Sequence, residues 1–232
     1  MTPLVLVSGW AYPSRALEPL GRLLAPDPRF QDGNELVAGS SPAARLAGSL
    51  PGSTVLVGWS MGGMLAIEAA LLTPERVRAL VLVNTTPRFS AGDGFRAGHP
   101  AERLMVLVRG MGRDPEVALA GFFALASATS GEEGIEERVR DGKRIGEDHL
   151  LRGLDYLART DLRDAVPGLR APTLVCHARK DRIVPGRAGK WLAERVPGAA
   201  AELSLPGAHD LPVNAPGVLA PRIRAFLDAL NS

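Results

Sequence analysis

The sequence predicts an α/β fold, a mainly parallel sheet of about six strands with an inserted helical segment. Short apolar runs alternate with stretches of helical spacing, which is typical of a parallel sheet covered on both faces. Between residues 84 and 167 the strand signal is replaced by consecutive helical patterns. Residues 58–63 (GWSMGG) join an apolar run to a helical run, and such a strand, sharp turn and helix expose a serine hydroxyl.

The predicted strands are six apolar runs, at residues 3–7, 35–38, 54–57, 77–83, 172–176 and 201–205. Helical spacing marks the stretches that cover them, at residues 15–24, 42–50, 64–72, 187–195 and 218–230. In an open parallel sheet, ligands and reacting groups gather at the carboxyl ends of the strands. We therefore expect the functional residues in the loops that follow these runs.

The inserted segment is predicted to be a helical cap, with helices at residues 101–111, 115–128, 135–145 and 148–159. Glycines punctuate it, which suits a lid whose pieces shift on hinges. The expected division is therefore a core of residues 1–84 and 168–232 and a cap of residues 85–167. A plain surface insertion is the alternative.

Composition excludes several classes of function. The chain has 232 residues, of which 46% are hydrophobic, and this suits one α/β core with an insertion. A formal charge of +2 without a basic stripe argues against nucleic acid as a partner. The first ten residues lack a basic start and a long apolar run, and no run is long enough to span a membrane. A cytoplasmic protein without membrane contact is expected.

Cysteine and most of the histidines give no sign of metal or redox chemistry. Cys176 has no second cysteine to pair with, and its apolar run predicts a buried strand residue rather than a functional thiol. The histidines at positions 99, 149 and 177 are not paired with carboxylates at ligand spacing. Neither a metal site nor a cofactor is predicted.

Ser60 is the predicted nucleophile, and it needs a base to take its proton and an acid to orient that base. His209 follows the last predicted strand directly, so it is the predicted base. Asp181 lies in the loop after the preceding strand and completes the chain order serine, aspartate, histidine. Asp210 is the competing acid, but its position next to His209 makes the far ring nitrogen hard to reach.

Two backbone amides must also face the oxyanion that forms when the serine attacks a carbonyl. Met61, directly after the serine, is predicted to supply one of them. Trp10, in the loop after the first strand, is predicted to supply the other, and Gly9 allows the close turn there. The indole of Trp10 is expected to form a wall of the acyl pocket, with a purely structural place in the core as the alternative.

The chain resembles the α/β-hydrolase superfamily over residues 3–84 and 172–230, and within it the pimeloyl-[acyl-carrier protein] methyl ester esterases of biotin synthesis. The similar stretches are SGW at residues 8–10, GWSMGG at 58–63, TPERVRALV at 73–81 and TPRFSA at 86–91. Residues 122–126 (FFALA) resemble the family's segment that contacts the acyl chain, and residues 160–163 resemble its return to the core.

The resemblance implies a serine esterase that hydrolyses the methyl ester of a pimeloyl chain carried on acyl carrier protein. It implies that Ser60, Asp181 and His209 form a catalytic triad and that Trp10 and Met61 are the oxyanion donors. The residues implied to contact the substrate are Trp10, Trp59, Phe122, Phe123, Ala124, Leu125 and Ala126.

The sequence also departs from the family's pattern. It starts at its first predicted core strand, so the two leading strands common in the superfamily are expected to be missing. Ser8 stands where many members have histidine, and residues 38–41 replace the aspartate, proline and glycine turn expected after the second strand. Ala126 replaces a polar residue of the cap, which leaves the preferred chain length open.

Acyl carrier protein is acidic, so a docking surface for it should carry positive charge. Acidic residues slightly outnumber basic ones over residues 85–165, and the total charge of the cap gives no support. One predicted helix of the cap carries a basic cluster behind acidic residues; the basic residues are Arg138, Arg140, Lys143 and Arg144, and the acidic ones Glu132, Glu133, Glu136 and Glu137. This pattern fits a docking face and a solvated helix equally well. A monomer is expected.

Two other functions stay open. A general small-ester or lactone hydrolase would enclose free molecules under the cap rather than a carrier-bound chain. A binding protein that kept the fold and lost its chemistry is disfavoured by the intact set of Ser60, Asp181 and His209.

Overall fold

The computed structural model describes residues 2–127 and 134–231, so Glu132, Glu133 and residue 128 of the second predicted cap helix lie outside the described residues. Six strands of the described residues form one sheet: β1 (Leu4–Val7), β2 (Arg29–Gln31), β3 (Thr54–Trp59), β4 (Val77–Val83), β5 (Thr173–Ala178) and β6 (Ala200–Leu205). Their order is β2-β1-β3-β4-β5-β6, and every neighbouring pair is parallel. The predicted parallel α/β fold is confirmed.

The helices of the described residues are α1 (Glu18–Leu24), α2 (Gly33–Ala38), α3 (Pro42–Ser49), α4 (Met61–Leu72), α5 (Ala101–Arg113), α6 (Pro115–Ala126), α7 (Ile135–Ile145), α8 (Glu147–Arg159), α9 (Gly186–Arg195), α10 (Leu211–Asn214) and α11 (Pro216–Ala229). Every residue of β1, β3 and β5 is buried. Since successive side chains of a strand point to opposite faces, the sheet is covered on both.

The strand predicted at residues 35–38 is wrong, because these residues belong to α2. Asp32 caps this helix, and its Oδ1 accepts a hydrogen bond from the Asn34 amide at 2.9 Å. The second strand is β2, which pairs with β1 at the edge of the sheet. The turn after the second strand is therefore residues 32–34, and the departure assigned to residues 38–41 falls instead at the end of α2.

Helices α5 to α8 lie between β4 and β5 in the chain, where the sequence predicts four helices. We call residues 85–167 the cap, and their separation from the core as a unit stays a prediction. α8 packs against α2 of the sheet layer, and α6 packs against α7. Through α8, the cap is therefore anchored beside the loop that follows β2.

The structure also shows the burial of the cysteine and bears on whether a helix could span a membrane. Cys176 is fully buried in β5, as predicted, and burial raises the pKa of its thiol. No helix within residues 2–127 and 134–231 is both long and apolar enough to cross a membrane.

Candidate active site

Ser60 occupies the turn between β3 and α4 in a strained conformation, with φ 56° and ψ −122°. A residue with a side chain adopts this region only where its surroundings hold it there. The Ser60 amide donates to the Val83 carbonyl at 2.9 Å, and the Thr85 hydroxyl donates to the Ser60 carbonyl at 2.6 Å. The end of β4 and Thr85 therefore hold the turn through hydrogen bonds to the amide and the carbonyl of Ser60.

Two glycines let this turn pack against its neighbours. A Cβ on Gly62 would lie 2.5 Å from the carbonyl oxygens of Val7 and Ser8. A Cβ on Gly58 would lie 2.6 Å from the carbonyl oxygen of Gly62. Both distances are far below van der Waals contact, so the turn is possible only because these positions lack side chains.

The structure brings Ser60, His209 and Asp181 together. His209 Nε2 lies 3.0 Å from Ser60 Oγ, and His209 Nδ1 lies 2.8 Å from Asp181 Oδ2. The side chains of His209 and Asp181 are completely buried. An ionised carboxylate only accepts hydrogen bonds, so Nδ1–H donates to Asp181 and Nε2 is left to accept the serine proton.

The backbone around Asp181 holds its carboxylate in place. Its Oδ1 accepts hydrogen bonds from the amides of Ile183 and Val184, both at 2.8 Å, which leaves Oδ2 for His209. His177 supports the same loop, since its Nε2 lies 3.0 Å from the Val184 carbonyl oxygen. Burial lowers the pKa of His177, which favours the neutral ring beside Asp181.

The loop that carries His209 is held by two side chains whose role the sequence did not reveal. The Asn84 side-chain amide donates to the carbonyls of Ala208 at 3.0 Å and His209 at 2.8 Å, and its oxygen accepts from the Ala178 amide at 2.8 Å. The Trp59 indole donates to the His209 carbonyl at 2.9 Å. Asn84 directly follows β4, and a polar residue at a strand's carboxyl end is the signal that marks it.

Asp210, the competing acid, forms a different set of contacts. Its Oδ2 accepts hydrogen bonds from Arg138 at 2.8 Å and from Ser127 at 2.5 Å, and its side chain is buried. None of the hydrogen bonds of the described residues joins its carboxylate to the His209 ring. The geometry therefore favours Asp181 as the orienting acid.

The basic cluster of α7 is largely neutralised. Arg138 pairs with Asp210, Lys143 with Glu116 at 2.7 Å, and Arg144 with Asp141 at 3.3 Å. Arg140 forms no ion pair with another described residue. These pairs leave the cluster as a whole with little free positive charge for docking.

The two predicted oxyanion donors lie beside the serine. Met61 is the first residue of α4, where backbone N–H groups have no partner within the helix. A Cβ on Gly9 would lie 3.0 Å from Ser60 Cβ, so the loop that carries Trp10 is packed against the nucleophile. Among the hydrogen bonds of the described residues, none uses the backbone N–H of Trp10 or Met61 as donor. Their role as donors stays a prediction.

A cavity of about 610 Å³ opens above Ser60. Residues of α5 and α6 at helical spacing form much of its wall, and α8 and the loops at the sheet edge supply the rest. Trp10 is one of the lining residues; its indole Nε1 donates to the Leu150 carbonyl at 2.8 Å, and its ring meets Phe122 edge-on at 4.7 Å. The predicted nucleophile therefore lies at the base of a mainly apolar cavity.

Only part of the predicted substrate-contact set lies on this wall. Phe122 and Leu125 line the cavity. Phe123 and Ala126 are fully buried outside it, and Ala124 is exposed outside it. The prediction treated residues 122–126 as one continuous contact segment, but in a helix only residues three or four apart share a face.

Trp59 also lies outside the cavity lining, and its contact with substrate stays a prediction. Its side chain is 1% exposed and packs against the ring of Tyr12, with the centroids 4.5 Å apart. Trp59 is the last residue of β3, and the side chains of a strand point alternately to the two faces of the sheet. Its contact with the His209 loop makes it a positioning residue in this structure.

The arrangement suits acyl transfer by a serine. Within residues 2–127 and 134–231, no group of three or more histidine, cysteine or acidic side chains is placed to hold a metal ion. The His209 imidazole contacts Ser60 Oγ, and the backbone amides at the start of α4 directly follow Ser60 in the chain. A carbonyl carbon is the electrophile that such a set accepts.

Known proteins are similar to this chain in sequence and in fold. The model of a family described as the alpha/beta hydrolase family matches residues 4–222. A pimeloyl-[acyl-carrier protein] methyl ester esterase of Xanthomonas oryzae pv. oryzae is 31% identical over 225 residues, which cover 90% of this chain and 88% of the relative. One of Xanthomonas campestris pv. campestris is 32% identical over 222 residues, covering 89% and 87%.

Among solved structures, an esterase from Exiguobacterium antarcticum superposes with a TM-score of 0.88 at 19% identity, covering 100% of this chain and 92% of the esterase. At this identity the likeness shows the fold alone. The family match and the esterase names of the sequence relatives support a carboxylic ester hydrolase. The chain belongs to the alpha/beta hydrolase family.

Proposed function

We propose that this protein is a serine carboxylesterase whose substrate is the methyl ester of a pimeloyl chain on acyl carrier protein, in the formation of a biotin precursor. The observation that carries the esterase part is the hydrogen-bonded series from Ser60 through His209 to Asp181 at the base of a cavity. The substrate part is supported by the relatives named pimeloyl-[acyl-carrier protein] methyl ester esterase.

In the proposed reaction, Ser60 Oγ attacks the ester carbonyl carbon while His209 Nε2 takes the hydroxyl proton. The negative charge moves to the carbonyl oxygen, where the amides of Met61 and Trp10 donate hydrogen bonds. His209 then returns the proton to the methoxy oxygen, and methanol leaves an acyl-enzyme on Ser60. Water repeats the sequence as the nucleophile, giving the free carboxylic acid and the original serine.

The shape of the cavity supports a long acyl chain. Its wall is mainly apolar, and Val106 and Val117 line it while remaining 68% and 67% exposed. The cavity therefore reaches solvent between α5 and α6. An acyl chain can lie along the apolar wall with its ester at Ser60 while its other end leaves through this opening to a carrier.

A carrier protein, a monomeric state and a cytoplasmic location belong to this proposal as predictions. The basic cluster of α7 adds little to the carrier hypothesis, because three of its four cations are paired with acids. A general small-ester or lactone hydrolase of the same fold would use the same Ser60, His209 and Asp181. The two functions differ in the substrate, so the substrate has to be tested directly.

The test offers the purified protein carrier-bound methyl esters of several acyl lengths, together with the matching free methyl esters, and measures methanol release. The proposal predicts the highest kcat/KM for the carrier-bound pimeloyl ester and no methanol above background from Ser60→Ala. Equal rates on free and carrier-bound esters at all lengths would favour the general hydrolase. In addition, the gene should restore growth without biotin to a strain that lacks its own esterase.

A further inference from the structure

A buried asparagine from another part of the chain holds the loop that carries Trp10. Asn34 lies in the first turn of α2 and is fully buried. Its side-chain Nδ2 donates to the carbonyls of Gly9 at 3.3 Å and Tyr12 at 3.1 Å, and its Oδ1 accepts from the Ala11 amide at 3.1 Å. One side chain therefore binds the backbone of this loop on both sides of Trp10. The mechanism above gives Asn34 no role.

The contact with Gly9 bears directly on the Trp10 amide. The Gly9 carbonyl and the Trp10 N–H belong to one peptide group, which is planar and trans, so they point in opposite directions. Because the carbonyl is turned towards Asn34, the N–H is turned away from it. That N–H has no acceptor among the described residues, and a Cβ on Gly9 would lie 3.5 Å from Ser60 Oγ. Asn34 therefore fixes the direction of a free N–H group close to the predicted nucleophile.

The backbone of Ala11 shows that this loop is strained. Its φ of 62° is a value that residues with a side chain rarely adopt, so the surroundings must hold it. The hydrogen bond from its amide to Asn34 Oδ1 helps to hold this conformation, and it also occupies the amide. Of the amides of Trp10 and Ala11, only that of Trp10 is therefore left to donate to an oxyanion.

The position of Asn34 is itself fixed by the turn after β2. Asp32 Oδ1 accepts from Asn34 Nδ2 at 3.0 Å, and Asp32 Oδ2 accepts from the Ser14 amide at 3.1 Å. The Gly33 amide donates to Ser8 Oγ at 3.2 Å, and a Cβ on Gly33 would overlap the Ser8 carbonyl oxygen. Three oxygens surround Nδ2 and an N–H group meets Oδ1, so only one orientation of the side-chain amide satisfies these partners. The asparagine is therefore a rigid support for the loop.

We propose that Asn34 is a positioning residue for the oxyanion hole, and that it presets the direction in which the Trp10 amide meets the developing oxyanion. Such a donor stabilises the transition state most when it needs no reorientation during the reaction. Asn34 is buried outside the cavity lining, so it acts through the peptide between Gly9 and Trp10 rather than on the substrate. This inference rests on the proposed esterase function and adds to it the residue on which one of the two oxyanion donors depends.

The test compares two activated esters that differ in one atom, p-nitrophenyl octanoate and its thiono analogue, in which sulfur replaces the carbonyl oxygen. Sulfur is a weak hydrogen-bond acceptor, so the ratio of kcat/KM for the oxygen ester to that for the sulfur ester reports the donors that face this atom. Asn34→Leu keeps the approximate side-chain volume without the hydrogen bonds, and Asn34→Ala leaves room for water. Each should lower the ratio about tenfold, a part of the roughly 10²–10³ that removal of a whole oxyanion donor costs.

Thr173→Val is the matched control for the loss of a buried hydrogen bond. Thr173 is buried at the start of β5, the end of that strand remote from Asp181, and its Oγ1 donates to the Ala171 carbonyl at 2.8 Å. We expect this variant to keep the ratio of the unchanged protein. Urea unfolding shows whether each variant is folded.

The outcomes separate the inference from the function beneath it. A ratio that falls in the folded Asn34 variants, but not in the control, supports the positioning role. An unchanged ratio overturns the inference, even if the rates on both esters fall together, because Asn34 then supports only the fold. Failure of both Asn34 variants to fold where Thr173→Val folds overturns it for the same reason, while hydrolysis by the unchanged protein leaves the esterase standing. No release of p-nitrophenol from either ester by the unchanged protein overturns both.

Discussion

At the scale of single residues, Asp181 is held more firmly than a surface aspartate would be. Two backbone amides bind one of its oxygens, and the other faces His209. The carboxylate therefore fixes both the orientation and the tautomer of the imidazole before any substrate arrives. This preorganisation is how Asp181 would act as the predicted orienting acid.

Replacing Asp181 with asparagine tests that role. The asparagine oxygen still accepts from the amides of residues 183 and 184, but its NH₂ group then faces His209 Nδ1 and favours the wrong tautomer. We expect kcat for p-nitrophenyl ester hydrolysis to fall by about 10⁴, by analogy with the equivalent change in serine proteases. A smaller loss in Asp181→Asn than in Asp210→Asn would contradict the choice of acid.

His177 gives the protein a predictable response to acid. Burial lowers its pKa below the ordinary value of 6.5, so the folded state resists protonation that the unfolded state accepts. Below pH 6.5 the unfolded chain therefore binds more protons, and stability falls as the pH falls. This residue alone contributes at most about 1.4 kcal/mol of loss between pH 6.5 and 5.5. Urea unfolding at the two pH values should show a smaller decline in His177→Gln than in the unchanged protein.

The sequence predicted the three central residues of the site but not those that hold them. A turn motif and the order of residues at strand ends predict Ser60, Asp181 and His209. Asn84 was not found, because its three hydrogen bonds join segments far apart in the chain. Such a role depends on which strand ends become neighbours, and no local pattern encodes it.

At the scale of elements, the strand and helix around Ser60 depend on how closely two backbones approach. Gly58 in β3 faces the start of α4 with no room for a methyl group. Gly48 in α3 has nothing within 4 Å of the position of an added Cβ. The two glycines therefore allow a matched comparison within one chain.

We expect opposite effects from adding a methyl group at these two glycines. Gly58→Ala should lower the free energy of unfolding by about 1–3 kcal/mol, because backbone atoms must move to admit the Cβ. Gly48→Ala should raise it by about 0.5–1 kcal/mol, because alanine loses less entropy in a helix. Chemical denaturation of both variants measures the difference. Equal effects of the two changes would show that the turn has more room than the structure gives it.

Elements were predicted best where their pattern was long. β4, with seven residues, and the cap helix α7 were predicted with the boundaries that the structure gives them. β2 was missed because three residues, Arg29–Gln31, at a sheet edge carry no hydrophobic alternation. The apolar pair Leu36 and Val37 suggests a strand at residues 35–38, but the capping residue Asp32 favours the helix that forms there.

At the scale of the whole molecule, an ion pair joins the cap to the loop that carries His209, the predicted base. Arg138 of α7 reaches Asp210, the residue after His209, with side-chain exposures of 17% and 1%. The Asp210 amide also donates to the Ala126 carbonyl at 3.3 Å. The connection between β4 and β5 is thus tied to the end of β6 by both side-chain and backbone contacts.

Removing the cation of this pair should be costly. Arg138→Met leaves a buried carboxylate without its charge partner, and we expect a loss of about 3 kcal/mol in unfolding free energy. Arg152→Met breaks an exposed pair with Asp148, whose side chains are 56% and 73% exposed, and should cost less than about 1 kcal/mol. If the two changes cost the same in urea unfolding, the ion pair does not anchor the cap.

The most direct measurement of the central claim is covalent labelling of the nucleophile. The purified protein is treated with a fluorophosphonate, and the modified residue is located by mass spectrometry of its peptides. We predict one adduct, on the hydroxyl of Ser60, that is absent from Ser60→Ala and forms more slowly in Asp181→Asn. An unlabelled protein, or an adduct on another residue with Ser60 unmodified, would contradict the account.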